Sequence, residues 1–499
     1  MRLLPLLGSD LMNKQSDSRP KNEHYLPNDT FYSFGWRSDH TKQIQFNAAS
    51  TIMSNDLNHS SSTSPNTSLG IGLVGFGTVG PGVWEILERN ADLISNRSGV
   101  QVEVMSIAVR DINKARLKQV PDDKFTTDWQ EVVNNPNVAM VVELIGGTTT
   151  AFDIVAAALR AGKPVVTGNK ALLAERGQEL FALSSEFSTP IYFEAAVAGG
   201  IPIIKTVQDS FVGNRILSMI GIINGTSNYI LERMTEAGLG YEEALGEAQQ
   251  LGYAEADPTL DVNGWDAAHK AILLATLAYG FTIDSKKIYV RGIEMVRGID
   301  IDFAKSLGFV IKLLCVVREH PDGTIEIRTQ PSFIPKNHVL SSVNGVFNAV
   351  AVRGDAAGDS LFYGRGAGKD PTASSVVADI VEAALGLGHD GSHRGFLPYK
   401  EDGKVMAIED TETPYYVRFD VNDEPGVVAK IADLLADAGI GISGTHSPVH
   451  PDEPDAAFVD MVFQLHTCRF GLLKETLKKV EALDCVNSRP VVFRIENLS

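Results

Sequence analysis

Leu69–Gly80, LGIGLVGFGTVG, is the stretch that decides how the first half of this chain is read. It opens as an apolar run of β-type residues and closes in a glycine-rich turn. The residues that follow, PGVWEILERN, have the spacing of an amphipathic helix. A strand that enters a glycine turn and leaves as a helix is the opening of a βαβ unit. The alternation then repeats. VEVMSIAV, MVVELIGG and KPVVTGN read as strands, with WQEVVNN and FDIVAAALRAG as helices between them. Such alternation predicts an α/β fold with a parallel, doubly wound sheet. It holds from Leu69 to about residue 195.

Gly75-Phe76-Gly77-Thr78-Val79-Gly80 fits G-x-G-x-x-G in the strand-to-helix context that gives the motif its meaning. The first glycine permits the tight turn, the second lets a pyrophosphate approach the backbone, and the third lets helix pack on strand. Free amides at the helix start favour an anion there. Residues 69–198 are therefore expected to form a Rossmann-type dinucleotide-binding domain. The next strand ends in VAVRDI, with Arg110 and Asp111 where the adenosine ribose would lie. An arginine accepts a 2′-phosphate and an acid accepts a 2′-hydroxyl. Arg110 comes first and points to NADP, with NAD as the alternative. Ligands in open α/β sheets sit at the carboxyl ends of strands. Gly146-Gly147-Thr148 and Gly168-Asn169-Lys170 stand at two such ends, so Thr148 and Lys170 are expected near nicotinamide and substrate. Taken alone, Lys170 fits better as a surface lysine opening the helix ALLAERG.

Further on, Tyr253–Lys270 reads YAEADPTLDVNGWDAAHK. It gathers Glu255, Asp257, Asp261, Asp266 and Lys270 around two structure breakers. Pro258 disfavours helix before it, and Asn263-Gly264 marks a turn or helix start. Asp266 and Lys270 then share one face of a largely apolar helix. Two readings stay open on the residues alone. The pair is either an ordinary i,i+4 contact, with Asp266 at N3 of a cap begun by Asn263, or a reactive pair delivered to a buried site.

At 499 residues the chain has room for about three domains. Its net charge of −18 argues against nucleic acid or an anionic membrane as partner. Cys315, Cys468 and Cys485 are sparse and unclustered, neither a disulfide framework nor a zinc site, which fits a reducing cytoplasm. No apolar run reaches the roughly 18 residues of a membrane span, and MRLLPLLGSDLMNK is too short and interrupted for a signal peptide. Residues 1–68, rich in Ser, Asn, Asp and Thr, read as a disordered extension, with Met53 as an alternative start. Residues 199–405 mix helices with short strands (RILSMIGIING, EIRTQPSFI, FNAVAVRG), which predicts an α+β domain. Residues 413–499 read βαββαβ, a ferredoxin-like plan, interrupted by a Pro/His-rich insertion in GISGTHSPVHPDEPD.

With these motifs in hand, the chain resembles the homoserine dehydrogenases, which interconvert homoserine and aspartate 4-semialdehyde. The family pattern is matched by Ala248, Gly252, Tyr253, Asp257-Pro258, Asp261, Gly264, Asp266 and Lys270. GFGTVG at 75–80, GNK at 168–170, EAAVAGGIP at 194–202, NGTSN at 224–228 and GRGAGKDPTASSVVAD at 364–379 extend it over residues 69–405. The last unit resembles an ACT domain, an amino-acid-sensing module, with DEPGV at 423–427 as its first turn. The resemblance implies that Lys270 carries the proton to and from the substrate oxygen and that Lys170 holds the same region. It implies that Glu255, Asp261 and Asp266 hold the substrate ammonium and orient Lys270, and that Gly252 offers backbone contact. Gly366 and Gly368 would be late cofactor contacts. Glu194, Val197, Gly199 and Ile201 would hold a monovalent cation, sodium, through carbonyls and one carboxylate, against the simpler reading of a glycine turn. The resemblance also implies that residues 199–405 are a substrate-binding, catalytic and dimerisation domain, that the chain is a homodimer or homotetramer, and that threonine is the effector at the ACT unit, against an oligomerisation module that binds nothing. Two rivals are another amino-acid dehydrogenase on the same cofactor fold and an inactive amino-acid sensor. The Asp261–Lys270 spacing argues against the first, and the presence of both lysines against the second.

Overall fold

The computed structural model describes residues 67–114, 120–388, 395–447 and 458–498. The expected extension lies outside these residues except for its last two, because the first strand begins at Thr67. The later half of the Pro/His-rich insertion also lies outside them.

Six strands build the first sheet: β1 Thr67–Val74, β2 Val100–Ala108, β3 Phe125–Thr126, β4 Met140–Glu143, β5 Val165–Thr167 and β6 Ile191–Tyr192. All pair in parallel, in the order β3-β2-β1-β4-β5-β6. This is the doubly wound order, and the strand sequence reverses between β1 and β4. β4 and β5 are buried at every position, as strands covered by helices on both faces must be. One of the covering helices arrives from far along the chain. Lys369–Gly388, within the stretch assigned to the substrate half, lies against the helix Val79–Arg89, and its Ala373, Val376 and Ile380 share a core with Ile71, Leu73 and Met140. Gly82 permits the approach, since a Cβ there would stand 2.9 Å from that of Ala373.

The second sheet holds β7 Ile216–Ile222, β8 Tyr289–Val290, β9 Phe309–Glu319, β10 Ile325–Pro335, β11 Phe347–Gly354, β12 Gly358–Arg365, β13 Glu412–Asn422, β14 Ile442–His446, β15 Phe458–Arg469 and β16 Val491–Ile495. Its order is β12-β11-β7-β9-β10-β16-β13-β15-β14, with β8 also on β10. Short strands were expected here, yet β9 and β10 each run 11 residues. β10 is buried along all but its last residue. A strand buried on both faces shows no alternation from which its length can be read.

The C-terminal residues adopt the expected βαββαβ order, with helices Val427–Asp437 and Phe470–Glu481 over strands arranged β16-β13-β15-β14. They have a core of their own around Phe419, Ile431, Leu435, Phe463 and Leu473. Their sheet is nevertheless not separate. β16 pairs in parallel with β10 through Ser332–Arg494 and Phe333–Ile495. Buried Arg328 bridges the seam, donating to Glu326 at 2.6 Å and to Glu496 at 2.9 Å. Among the described residues, no helix is long and apolar enough to cross a membrane.

Candidate active site

Gly75 has φ +108, and a Cβ on it would lie 2.7 Å from the Leu144 carbonyl. Only glycine makes that turn. Gly80 is equally constrained, since a Cβ would meet the Gly75 carbonyl at 2.7 Å. Gly77 between them faces open space. The three glycines therefore act as the motif requires, two for close packing and one leaving the backbone bare for a ligand. Thr78 is the N-cap of the helix that Val79 begins, so free amides point into the same space. A cleft of about 400 Å³ opens here, lined by Gly75, Phe76 and Gly77 on one side and by Arg110, Asp111 and Lys114 on the other. The bare backbone, the helix start and the two basic side chains fit a phosphorylated dinucleotide.

The loops after β4 and β5 form the next part of the crevice. Glu143, at the end of β4, is fully buried. It accepts from the Thr167 hydroxyl at 2.6 Å and from the amides of Ile145 and Gly146 at 2.8 and 3.1 Å. Those bonds shape the Gly146-Gly147-Thr148 loop, whose glycines both have positive φ. Asn169 caps the helix Lys170–Glu186 through the Leu172 amide and donates to the Gly147 carbonyl at 2.8 Å. Thr148 and Lys170 are thus held at adjacent strand ends.

The Tyr253–Lys270 segment meets this crevice from the second half. A short helix, Thr259–Val262, starts directly after Pro258, and the helix Trp265–Tyr279 follows. Its N-cap is Gly264, with φ +87, and not Asn263; Asn263 instead accepts from the Trp265 amide at 3.0 Å. The turn is one residue later than expected because Gly264 alone tolerates the left-handed backbone. Asp266 consequently sits in the first turn, buried, and is more than a surface partner of Lys270. It accepts from Lys270 Nζ at 2.7 Å, and its other oxygen is 3.0 Å from Lys170 Nζ. Lys270 also donates to the Ile223 carbonyl at 2.7 Å. Burial alone would raise the Asp266 carboxyl, but Lys270 and Lys170 outweigh it and hold the group well below the usual carboxylate range. Asp266 in turn, with smaller help from Asp261 and Glu255, raises the Lys170 ammonium against the opposing effect of burial.

Asp261 is half-buried, and burial with the neighbouring Asp266 raises its pKa. Asn224 joins the two acids. Its Nδ2 donates to Asp261 at 2.7 Å and to Asp266 at 2.9 Å, while its Oδ1 caps the helix Gly225–Ala237 through the Ser227 amide. The cap fixes which end of the amide faces the acids. Glu255 is exposed, close enough to act on Lys170. Gly252, at φ +73, is exposed beside it. Asp257 accepts from the Thr259 hydroxyl and amide and orders the turn only. Asn224, Ile223 and Glu143 were not singled out in the sequence. Asn224 had a signal, an N-cap residue type at the head of NGTSN. The other two act through long-range contacts with no local signature.

Glu194 opens a buried turn that includes Val197, Gly199 and Ile201, with Ala198 and Gly199 at φ +54 and +50. Burial raises the Glu194 carboxyl. It accepts from the amides of Ile204 and Lys205 at 2.8 and 2.7 Å, and the Gly199 carbonyl accepts from Ser375 at 2.7 Å. Oxygen is the atom type a hard cation takes, but both Glu194 oxygens and the Gly199 and Ile201 carbonyls already accept hydrogen bonds within the protein. Among the described residues, no group of three or more His, Cys, Asp or Glu is arranged for a metal ion. Gly366 packs against Gly199 and Asn348, and Gly368, at φ +119, precedes the helix that covers Val79–Arg89. Gly368 therefore leads into the helix that covers the nucleotide half, while Gly366 sits between Gly199 and Asn348.

This arrangement matches known proteins over most of its length. Residues 75–194 match the family model described as the NAD binding domain of homoserine dehydrogenase, and residues 202–381 match that of homoserine dehydrogenase itself. The homoserine dehydrogenase of Pseudomonas aeruginosa is 43% identical over 435 residues, which span 86% of this chain and 99% of that protein. The chain belongs to the homoserine dehydrogenase family. The crystal structure of a homoserine dehydrogenase from Thiobacillus denitrificans has 40% sequence identity and a TM-score of 0.81, covering 87% of this chain and 99% of that one. A hyperthermophilic archaeal homoserine dehydrogenase in complex with NADPH has 28% identity and a TM-score of 0.54, over 64% of this chain and 98% of that one. The homoserine dehydrogenase frame is thus an oxidoreductase with a parallel-sheet dinucleotide-binding half and a mixed-sheet catalytic half.

Proposed function

We propose that the chain interconverts L-homoserine and L-aspartate 4-semialdehyde, with NADP as its preferred cofactor. The observation that carries this reading is Asp266, one carboxylate held by two lysines at the carboxyl ends of the parallel sheet. When bound, the nicotinamide cofactor supplies or accepts the hydride. The protein's own task is to fix the substrate and manage one proton. Asp261 and Glu255 present negative charge to the substrate ammonium. Two of the three Lys270 donors are directed at Asp266 and Ile223, and the third serves the substrate oxygen. In reduction it gives a proton to the forming alkoxide, and in oxidation the neutral amine takes the alcohol proton. Lys170, kept protonated by Asp266, holds positive charge beside the same oxygen.

Arg110 and Lys114 at the cleft support NADP, as does the NADPH complex of the archaeal relative. Glu194 with the Val197, Gly199 and Ile201 carbonyls would hold sodium and join the two halves. The βαββαβ topology supports an ACT domain, with threonine as its effector. Gly426 within DEPGV, at φ +92, is the N-cap of its first helix. The exposed Leu361 and Tyr363 on edge strand β12 support a homodimer or homotetramer. The setting is then a cytoplasmic step of threonine, methionine and isoleucine biosynthesis. Initial rates with aspartate 4-semialdehyde and NADPH or NADH, with and without threonine, test the reading. Turnover that prefers NADPH and falls with threonine is expected. No turnover with either cofactor would refute it.

A further inference from the structure

Residues Tyr289–Asp300 run between the C-terminal βαββαβ unit and the turn that carries Asp266. On one side they are tied to three strands of that unit. The Arg291 guanidinium donates to the Val492 carbonyl of β16 at 3.2 Å. Arg418 of β13, almost wholly buried, donates to the Met295 carbonyl at 3.1 Å and pairs with Asp300 at 2.8 Å. Arg297 reaches Asp460 of β15 at 3.4 Å. Asp300 is fully buried and also accepts from the Tyr416 hydroxyl at 2.6 Å.

On the other side the same residues press on the active-site turn. The Ile293 amide donates to the Val262 carbonyl at 2.8 Å. A Cβ on Gly264 would stand 3.1 Å from the Arg291 carbonyl, and one on Gly292 would stand 2.5 Å from Asn263 Cα. Backbone thus meets backbone at both glycines, with the Glu294 carboxylate also close to Gly292 and the Val290 side chain close to Gly264. Val262 follows Asp261, and Gly264 lies two residues before Asp266. The Arg291 amide is itself held by the Thr329 carbonyl of β10 at 2.9 Å, so the strap is anchored to β10 as well as to the C-terminal unit.

We propose that Tyr289–Asp300 is a strap through which the C-terminal unit sets the position of Asp261 and Asp266, and that Arg291 is a positioning residue for the reaction. Arg291 touches neither acid, and acts by holding the backbone that faces Gly264. The proposal rests on the reading of Asp261 and Asp266 as the substrate end of a homoserine dehydrogenase site. It separates the two substrates, because the strap contacts the acid-bearing turn and not the glycine-rich cleft.

The test is steady-state kinetics of the full chain carrying Arg291→Met, Arg291→Lys or Asp300→Asn. Misplacing catalytic groups by about 1 Å can cost on the order of 100-fold, and a smaller shift of the acid-bearing turn is expected to cost about tenfold in kcat/KM. The expected result for Arg291→Met is a loss of that size, with a raised KM for aspartate 4-semialdehyde and an unchanged KM for NADPH. Arg291→Lys, which keeps a cationic donor for Val492, should recover much of the loss. Asp300→Asn, at the other anchor, should show the same split. Equal shifts in both KM values, or a lowered melting temperature with unchanged KM values, would overturn the proposal, as would failure of both loss-of-contact variants to fold. A wild-type chain with no turnover would instead refute the functional reading on which it rests.

Discussion

Lys170 Nζ lies 3.0 Å from a carboxylate oxygen of Asp266, although one residue opens a helix of the nucleotide half and the other a helix of the catalytic half. The contact closes the crevice between the two sheets at the place where nicotinamide and substrate would meet. It also makes the charge of Asp266 a shared resource, since the other oxygen is committed to Lys270.

Asp266→Asn should therefore damage more than one pair. Removing one partner from a buried ion pair costs about 3 kcal/mol of stability, and thermal unfolding of the variant should show a loss of that order. Its turnover of aspartate 4-semialdehyde should fall at the same time. A variant with wild-type stability and activity would remove Asp266 from the centre of the site.

The pH dependence follows from the two shifts. The Asp266 carboxyl lies below its ordinary 3.8, so its contribution is complete above that value and is lost as pH falls through the lower folded value. The Lys170 ammonium lies above its ordinary 10.5, so its contribution is complete below that value and is lost as pH rises through the higher folded one. The stability gap between wild type and Asp266→Asn should be flat across neutral pH and shrink only at the acid and alkaline extremes. A gap that changes steeply around pH 7 would contradict both assignments.

Much of this site was legible locally. G-x-G-x-x-G before a helix start and the Asp266–Lys270 spacing are features of a few residues, and the structure keeps them together. What was not legible depends on contacts between distant segments. Asn224 meets Asp261 and Asp266 only because β7 ends beside the short helix Thr259–Val262. The return of Lys369–Gly388 to the first core, and the pairing of β16 with β10, join residues more than 150 positions apart. No local period records a parallel pairing of that separation. The helix cap was misplaced by one residue because Asn263 and Gly264 are both helix-start residues, and the left-handed backbone decides between them.

The seam between β10 and β16 makes a prediction about truncation. Removing residues 413–499 would leave Arg328 buried without Glu496 and strip β10 of a neighbour. Such a chain should be insoluble or melt far below wild type, so loss of threonine response in it would say nothing of a threonine site. Glu496→Gln in the full chain should cost about 3 kcal/mol with KM values unchanged, as read by thermal unfolding and steady-state rates. A stable, soluble truncation would contradict the seam.

Cofactor choice is expected to rest on Arg110. Arg110→Ser should raise the KM for NADPH about tenfold, the loss of roughly one charge-assisted hydrogen bond, and leave that for NADH nearly unchanged. Parallel shifts for the two cofactors would remove Arg110 from the 2′-phosphate.

Glu194→Gln keeps an acceptor for only one of the Ile204 and Lys205 amides, which donate to different carboxylate oxygens, and removes the charge a cation needs. Rates measured in sodium, potassium and choline salts should differ for the wild type and converge for this variant. Identical salt responses would leave Glu194 as a helix cap alone.

The central claim is that Lys270 moves the proton. The most direct measurement is Lys270→Ala, assayed for turnover of aspartate 4-semialdehyde with NADPH and, in parallel, for NADPH binding by fluorescence titration. The account predicts turnover lower by about 100-fold or more, the scale of lost acid–base catalysis, with cofactor affinity retained. A variant that binds NADPH and turns over at the wild-type rate would contradict it.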